Sequence, residues 1–435
     1  MKNKHVKIIL ILLMTIAVAV TLCACDLNGL TNSNKGLSAY EIAVKNGFTG
    51  TETDWLNSLH TTNTIEKTTN NYNVDVNTSH DVSTAANIGL KSIVSVYCKH
   101  TVIADTWFGQ QTQQAQSAGS GVIYQIENDG SAYIITNHHV VYENNSATAN
   151  KISDDISVYL YGMEGSSYAI PATYVGGSQN YDIAVLKVTS NAILKNAIEK
   201  GVATAVEFAD SSAIYAGQTS IAIGNPEAEG ISVTCGIVSV DSEYIEMTAV
   251  DNRTKISLRV IRTDTAVNSG NSGGGLFDDT GKLIGIVNAK SGDTEVENIA
   301  YAIPGNVAKA IADNIIYYNT TRKTNCVMRV LLNVTVQTSG LSTELDEQTG
   351  FINKIEQVKI ASVNNNSIVK GKLQEGDIIN SITINGVTTN ITRQYQFIDV
   401  LLDARVGNDV TIEFTRNDAK QSITVTITED CLAEY

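Results

Sequence analysis

The chain has 435 residues, of which 43% are hydrophobic, with 32 glycines, 3 prolines and a formal net charge of −15. This length predicts more than one domain, and the negative charge argues against nucleic-acid binding and against a polybasic membrane-surface protein. The six cysteines form no CxxC pair and the six histidines no HExxH motif, so the sequence predicts no metal and no other cofactor. The abundance of glycine and β-branched residues favours a strand-rich protein.

The amino terminus resembles an export signal. Three lysines precede an apolar run over residues 8–22, which is shorter than the roughly 20 residues that a membrane-spanning helix needs. The run ends near Cys25, where the sequence is similar to a bacterial lipobox. We therefore expect residues 1–24 to be a lipoprotein signal peptide and Cys25 to be lipidated. The chain would be anchored on the extracytoplasmic face of the membrane of a Gram-positive bacterium. An uncleaved anchor helix is the alternative.

A small helical hairpin is expected over residues 37–60, between linkers at residues 25–36 and 61–84. Gly47 is placed to end its first helix in the left-handed conformation. We interpret the hairpin as a spacer that packs three aromatic side chains together, namely Tyr40, Phe48 and Trp55.

Three segments carry residues with catalytic chemistry. His138 and His139 follow an apolar strand, Asp182 opens a second apolar strand, and Ser272 lies in a glycine-rich loop. Each pattern alone is common in proteins without catalytic function. Together they place a histidine, an acid and a serine in the chain order of chymotrypsin-like proteases, which differs from that of subtilisin and of the α/β-hydrolases.

These residue types form a working unit in serine hydrolases. A serine hydroxyl needs a base to take its proton, and a histidine can then return that proton to the leaving amine. The carboxylate of Asp182 would hold the imidazole in the correct tautomer. Glycines around Ser272 would let backbone N–H groups point at the developing oxyanion. Either His138 or His139 fits the role of base on these grounds.

The three segments resemble the HtrA/DegP family of trypsin-like serine proteases. Residues 136–141 fit the family pattern Thr, Asn, any residue, His, Val, Val, which makes His139 the base. Residues 182–186 fit its Asp-Ile-Ala-Val-Leu, and residues 263–274 fit its approach to the nucleophile. Gly275 stands where the family usually has proline.

The resemblance implies further site residues. The oxyanion hole would be formed by the backbone N–H groups of Gly270, Asn271 and Ser272. Ala266, six residues before the serine, would line the base of the S1 pocket, and its lack of charge predicts a small or medium apolar P1 residue. The strand that pairs with substrate would contain Ala300, Tyr301 and Ala302.

The expected fold is mainly β. Residues 85–318 are interpreted as a protease domain of two six-stranded antiparallel barrels, near residues 85–205 and 206–303. The catalytic groups would lie at the junction of the barrels. Val307, Ile311 and Ile315 predict a helix that closes this domain.

Residues 325–430 resemble a PDZ domain, an α+β unit that binds peptide C-termini at a sheet edge. Its carboxylate-binding loop would contain Leu332, Asn333 and Val334, with Asn333 where the family usually has glycine. A structural lid or oligomer spacer without a ligand is the alternative. Cys98 and Cys235 fall in strand-like runs and are expected to be buried thiols, while disulfide pairing among the exported cysteines stays open.

The leading functional hypothesis is an extracytoplasmic endopeptidase that cleaves unfolded or damaged exported proteins, with homotrimers implied by the resemblance. A catalytically silent PDZ scaffold is a second hypothesis. A third is a metal-dependent hydrolase that uses His138 and His139, although neighbouring strand residues face opposite sides and would chelate poorly.

Overall fold

A computed structural model describes residues 39–55, 81–107, 109–288, 298–347 and 349–435 of the chain. The signal peptide with Cys25 and both linkers lie outside the described residues, except for 81–84 of the second linker. The chain divides into two compact units, Met1–Asn77 and Thr78–Tyr435. No helix among the described residues is long and apolar enough to cross a membrane.

The described part of the first unit is a small hairpin. Helix α1 spans Ala39–Lys45, Gly47 follows it with a φ of 96°, and helical residues 52–55 come next. The ring of Tyr40 lies 6.4 Å from that of Phe48 and 6.2 Å from that of Trp55. The expected aromatic contacts are therefore present.

The second unit begins with helix α2 (Val82–Leu90), which is capped by the Asp81 side chain and is followed by twelve strands in two closed barrels. Strands one to six form the first barrel in the order β1-β2-β3-β6-β5-β4, and strands seven to twelve form the second in the order β10-β11-β12-β9-β8-β7. The first six strands are β1 (Ile93–Thr106), β2 (Gly109–Ile126), β3 (Ala132–Thr136), β4 (Asp155–Leu160), β5 (Ile170–Ser178) and β6 (Ile183–Val188). The second six are β7 (Thr219–Gly224), β8 (Ser232–Thr248), β9 (Lys255–Thr263), β10 (Gly275–Phe277), β11 (Leu283–Asn288) and β12 (Ala300–Pro304).

Short helices connect these strands and a long one closes the barrels. Helix α3 (His138–Val141) follows β3, and α4 (Ala192–Glu199) follows β6. Helix α5 (Gly305–Arg322) packs on the barrels with Val307, Ile311 and Ile315 buried, as their spacing predicted. The mainly β class is confirmed.

The described residues of the C-terminal part of the chain form an antiparallel sheet with one α-helix. Helix α6 spans Gln394–Asp399. Five strands lie in the order β14-β15-β16-β18-β19, with β17 paired to β16 and a separate pair β13-β20. These strands are β13 (Met328–Val330), β14 (Val334–Leu345), β15 (Ile352–Val363), β16 (Ile378–Ile384), β17 (Val387–Asn390), β18 (Asp409–Arg416), β19 (Ala419–Thr426) and β20 (Leu432–Glu434). Their alternating apolar residues form a separate hydrophobic core.

Charged residues join this sheet domain to the second barrel. Arg259 on β9 contacts Asp399 at 2.5 Å, and Arg393 contacts Asp241 on β8 at 2.8 Å. The ring of Tyr395 lies between the two guanidinium groups, at 4.2 and 5.2 Å. Ion pairs and cation–π contacts that are largely removed from water hold partners in a defined orientation.

All four cysteines among the described residues are free thiols. Cys98 is buried in β1, as its strand-like surroundings predicted, and burial raises the pKa of its thiol to about 12. Cys235 is exposed on β8, so the prediction that it is buried was wrong. The apolar run around Cys235 belongs to a strand whose outward residues face water.

Candidate active site

His139 and Asp182 meet just after the end of β3 and just before the start of β6, both strands of the first barrel. Strand β3 leads into the single helical turn α3, and β6 begins directly after Asp182. The His139 Nδ1 lies 2.6 Å from Asp182 Oδ2, and the backbone N–H of His139 donates to Oδ1 at 3.0 Å. The Asp182 carboxylate thus holds His139 through both its ring and its main chain.

The Asp182 carboxylate is buried and receives a further donor. The amide Nδ2 of Asn288, the last residue of β11, donates to Oδ2 at 3.0 Å. Burial by itself raises the pKa of Asp182, but the charge and hydrogen bonds of His139 outweigh it, so the pKa lies below its ordinary value. Asp182 therefore stays ionised inside the protein.

The backbone at Asp182 is unusual, with a φ of 49°. Aspartate tolerates this left-handed region better than most residues. The Asp182 carbonyl accepts from the backbone N–H of His138 at 3.2 Å and from Asn137 Nδ2 at 2.8 Å. These bonds from the histidine turn offset the conformational cost.

His138 occupies a different environment from His139. Its ring is buried between Tyr142 and Tyr174, and its Nδ1 has no hydrogen-bond partner among the described residues. Burial lowers the pKa of His138 to about 4. Residues 138–141 form a helical turn after β3, where the sequence placed the two histidines, so the strand alternation invoked against their chelating a metal does not apply. Their rings nevertheless differ in exposure and partners.

The loop carrying Ser272 reaches the histidine turn from the second barrel. Gly273 has a φ of 84°, and a Cβ there would lie 2.2 Å from the Ser120 carbonyl oxygen and 2.4 Å from Thr136 Oγ1. The same Cβ position is 3.1 Å from the backbone nitrogen of Asn137. Only glycine fits. Gly273 therefore packs against Thr136 and Asn137, the two residues directly before the histidine turn.

Ser120, within β2, ties this loop to the first barrel. Its N–H donates to the Ser272 carbonyl and its hydroxyl to the Gly270 carbonyl, each at 2.8 Å. Its own carbonyl accepts from Thr136 Oγ1 at 2.6 Å, and its Oγ accepts from the Asn225 N–H at 2.8 Å. One buried serine thus connects four segments around the site.

The three predicted oxyanion donors are not equivalent. The N–H of Asn271 donates to the Asn268 carbonyl at 3.1 Å, so this N–H points into the loop. Gly270 has a φ of 95°, and a Cβ there would lie 2.3 Å from the Asn225 carbonyl oxygen. Of the three, Asn271 therefore has its N–H engaged within the loop in this arrangement.

The residues predicted for substrate contact separate into two groups. Ala266 is exposed, and its carbonyl accepts from Thr234 Oγ1 at 2.7 Å. Ala300, Tyr301 and Ala302 lie on β12, which is paired with β11 on one side and with β9 on the other. A strand with both edges occupied cannot add a peptide strand, so their assignment as the substrate-pairing strand is corrected. The prediction recognised the strand but not its neighbours.

The packing around Gly275, where proline was expected, leaves no room for a side chain. A Cβ on Gly275 would lie 2.3 Å from Cε2 of Phe277 and 2.8 Å from Cδ1 of Leu283. Both side chains are fully buried. The core beneath the loop therefore occupies the space that a larger residue would need.

The predicted carboxylate loop begins a groove in the sheet domain. Asn333 has a φ of 54°, the conformation in which asparagine replaces glycine most readily. A cavity of about 330 Å³ extends from Leu332, Asn333 and Val334 along β14 to α6. Across it, Gln394 Nε2 donates to the Val336 carbonyl at 3.3 Å.

Sequence reasoning did not identify Asn288 or Ser120. Asn288 ends an apolar strand and Ser120 stands between two glycines, and both patterns are common. No group of three or more His, Cys, Asp or Glu residues in the described ranges is arranged to hold a metal ion.

The chain is similar to known proteins in sequence and structure. Residues 119–286 match the family model of the trypsin-like peptidase domain. The "Serine protease Do-like HtrA" of Lactococcus lactis subsp. cremoris is 30% identical over 399 residues, covering 87% of this chain and 89% of that protein. The protein of that name from Bacillus subtilis is 40% identical over 201 residues, covering 46% of this chain and 39% of the other. A solved structure, "HtrA-type protease AlgW with tripeptide", has 26% identity and a TM-score of 0.48, covering 81% of this chain and 97% of that one.

The first prediction concerns the amide of Asn288. Asn288→Leu keeps the volume but removes the donor to Asp182, and hydrogen bonds to charged groups contribute about 1.5–3 kcal/mol. We expect kcat for a peptide substrate to fall about ten- to a hundredfold, with KM little changed because Asn288 contacts the carboxylate. Steady-state kinetics measure this. Asn288→Ser, which keeps a donor, should recover part of kcat, and equal losses in both variants would contradict the positioning role.

The second prediction concerns the buried ring of His138. Its pKa of about 4 in the folded protein lies below the roughly 6.5 of an unfolded histidine. The unfolded chain therefore binds the extra proton between these values, and stability falls as the pH drops from about 6.5 to about 4. This site alone should cost about 2–3 kcal/mol. Urea unfolding at pH 7 and pH 4.5, in a Ser272→Ala background, measures the free energy of unfolding at each pH. The drop in this free energy between the two pH values should be smaller in His138→Phe by that amount. An unchanged pH dependence would contradict the assignment.

Proposed function

Because the chain belongs to the HtrA family of serine proteases and is a serine endopeptidase, we propose that His139, Asp182 and Ser272 are its catalytic residues. The observation that supports this most strongly is the 2.6 Å contact between His139 Nδ1 and a buried, ionised Asp182. A carboxylate bonded to Nδ1 leaves Nε2 of the ring as the nitrogen that can accept a proton.

The proposed reaction has two stages. The Ser272 Oγ attacks the peptide carbonyl carbon while His139 Nε2 takes the hydroxyl proton, and the carbonyl oxygen becomes an oxyanion. His139 then gives this proton to the leaving amine as the C–N bond breaks, which leaves an acyl-enzyme. Water attacks the acyl carbon in the same way, and His139 returns the proton to Ser272. Asp182 stabilises the imidazolium at each stage without becoming protonated.

The oxyanion would be bound by the backbone N–H groups of Gly270 and Ser272. Two backbone hydrogen bonds support this. The Glu227 N–H donates to the Ser269 carbonyl at 2.7 Å and the Gly274 N–H donates to the Asn271 carbonyl at 2.9 Å, which fixes the peptide groups that carry the Gly270 and Ser272 N–H groups. Donors held in place before the reaction need not reorganise during it.

The third prediction separates this proposal from a silent scaffold and from a metal-dependent hydrolase. Ser272→Ala and His139→Ala should each lower casein hydrolysis by about 10⁴-fold or more, since triad members act as a unit. His138→Phe should retain most activity, and chelator treatment should leave the wild type active. Activity that survives Ser272→Ala would exclude the proposed nucleophile, and loss on chelation would favour the metal-dependent hydrolase.

Specificity is proposed to follow from Ala266. An uncharged, exposed residue at the base of S1 supplies no partner for a basic side chain, so small or medium apolar P1 residues are favoured. Cleavage of a peptide library by the mature protein tests this. A strong preference for Arg or Lys at P1 would contradict it.

The sheet domain is proposed to be a PDZ domain that binds peptide C-termini in the groove beside β14. The left-handed Asn333 and the 330 Å³ groove support this, while a lid or spacer role remains the alternative. Fluorescence anisotropy with a labelled peptide ending in valine tests it. Val336→Glu and amidation of the peptide C-terminus should each abolish binding. Equal binding of the amidated peptide would contradict carboxylate recognition.

The physiological setting is also a proposal. The lysine-flanked apolar run and Cys25 support a lipoprotein on the extracytoplasmic face of the membrane, where unfolded or damaged exported proteins are its expected substrates. Cys25→Ala should release the protein from the membrane fraction, and an unchanged membrane fraction would contradict lipidation. Light scattering of the mature protein tests the homotrimer that family membership suggests, and a monomer would contradict it.

A further inference from the structure

A cavity of about 200 Å³, partly open to solvent, lies where the second barrel, helix α5 and the sheet domain meet. It is separate from the proposed peptide groove, although Arg329 and Ile398 line both. At about 30 Å³ per water molecule, this volume corresponds to several waters or to one small organic molecule.

The cavity contains buried donors that the protein leaves unused. The hydroxyl of Tyr181 and the Nε of Arg259 have no hydrogen-bond partner among the described residues. Only 7% of the Arg259 side chain is exposed. Leaving a buried donor without a partner is unfavourable, so each of these groups favours a ligand that accepts a hydrogen bond.

The charges around the cavity favour an anion. Arg259 is paired with Asp399, whereas Arg329 forms no ion pair with any described residue and stacks on the Tyr435 ring at 4.8 Å. Two guanidinium groups thus face one carboxylate. Burial raises the pKa of the Tyr181 hydroxyl, which Arg329 offsets only in part, so this group stays protonated and can donate a hydrogen bond. A bound anion would balance the excess positive charge.

The remaining wall is apolar and aromatic. It consists of Leu258, Val307, Ile398 and the rings of Tyr181, Tyr244 and Tyr435. The Tyr181 and Tyr435 rings contact each other with centroids 5.1 Å apart. A fully hydrated inorganic ion would leave this surface unsatisfied, while a flat apolar body would fill it.

We propose that this cavity is a binding site for a small carboxylate with a compact apolar body, of about the size of benzoate. The carboxylate accepts hydrogen bonds from the Tyr181 hydroxyl and from the Arg259 Nε, and the apolar body packs among the tyrosine rings. This site contains none of the proposed catalytic residues, and it shares only Arg329 and Ile398 with the peptide groove.

The test uses the mature chain with Ser272→Ala and benzoate as the probe, measured by isothermal titration calorimetry. Tyr181→Phe removes one hydroxyl and keeps the ring contact with Tyr435, so the fold should be retained, as its thermal unfolding would report. Benzoate should bind the parent protein in the millimolar range or tighter. Its affinity should fall about tenfold or more in Tyr181→Phe, as expected for a lost hydrogen bond to a charged group.

Control variants and probes make the result specific. Tyr161→Phe, at an exposed tyrosine outside the cavity, should leave benzoate affinity unchanged. Arg329→Gln should weaken it, and Val336→Glu, which blocks only the groove, should not. Benzyl alcohol and inorganic phosphate should each bind at least about tenfold more weakly than benzoate, because one lacks the charge and the other the apolar body.

Several results would overturn the proposal. Absence of benzoate binding would mean that water satisfies the cavity. Equal affinity for benzyl alcohol would show that the charge is not recognised. Loss of binding in Val336→Glu with none in Tyr181→Phe would place benzoate in the peptide groove. None of these results depends on proteolytic activity, so failure here is distinct from failure of the proposed catalytic residues.

Discussion

The buried carboxylate of Asp182 is the group on which the geometry of the site depends. An ionised carboxylate inside a protein is stable only when donors surround it. Here His139 supplies two donors from the end of β3, and Asn288 supplies one from the end of β11. Since β3 belongs to the first barrel and β11 to the second, the charge can be satisfied only when both barrels adopt this relative position. The Asn288 donor therefore couples the hydrogen bonding of Asp182 to the contact between the two barrels.

The serine loop is held by a second, neutral set of bonds. Ser120 joins the carbonyls of Ser272 and Gly270 to the first barrel, and the close approach of Gly273 to Thr136 leaves no room for a side chain. The loop thus has little freedom to move its backbone without breaking contacts with another barrel. Such rigidity suits a site whose donors must be aligned before the reaction begins.

The sequence predicted the reactive residues of the site better than the residues that hold them in place. His139, Asp182 and Ser272 follow from segment order and a family pattern, because catalysis restricts the residue types near them. Asn288 and Ser120 act through contacts with distant segments, and a polar residue at a strand end carries no local sign of its partner. The same limit explains the error at Ala300–Ala302, where the strand was visible but its two neighbours were not. The cavity beside Tyr181 was likewise invisible, since its wall combines residues from three distant parts of the chain.

Gly275 and Phe277 show how the core beneath the loop limits divergence of the sequence. The Phe277 ring lies where a Cβ on Gly275 would be. The absence of a side chain at Gly275 is therefore needed for the aromatic ring at Phe277 to fit. A lineage that acquired proline at Gly275 would first need a smaller residue at Phe277, and the intermediate with only the smaller residue would carry a void. The two positions are therefore expected to change together among descendants of this sequence.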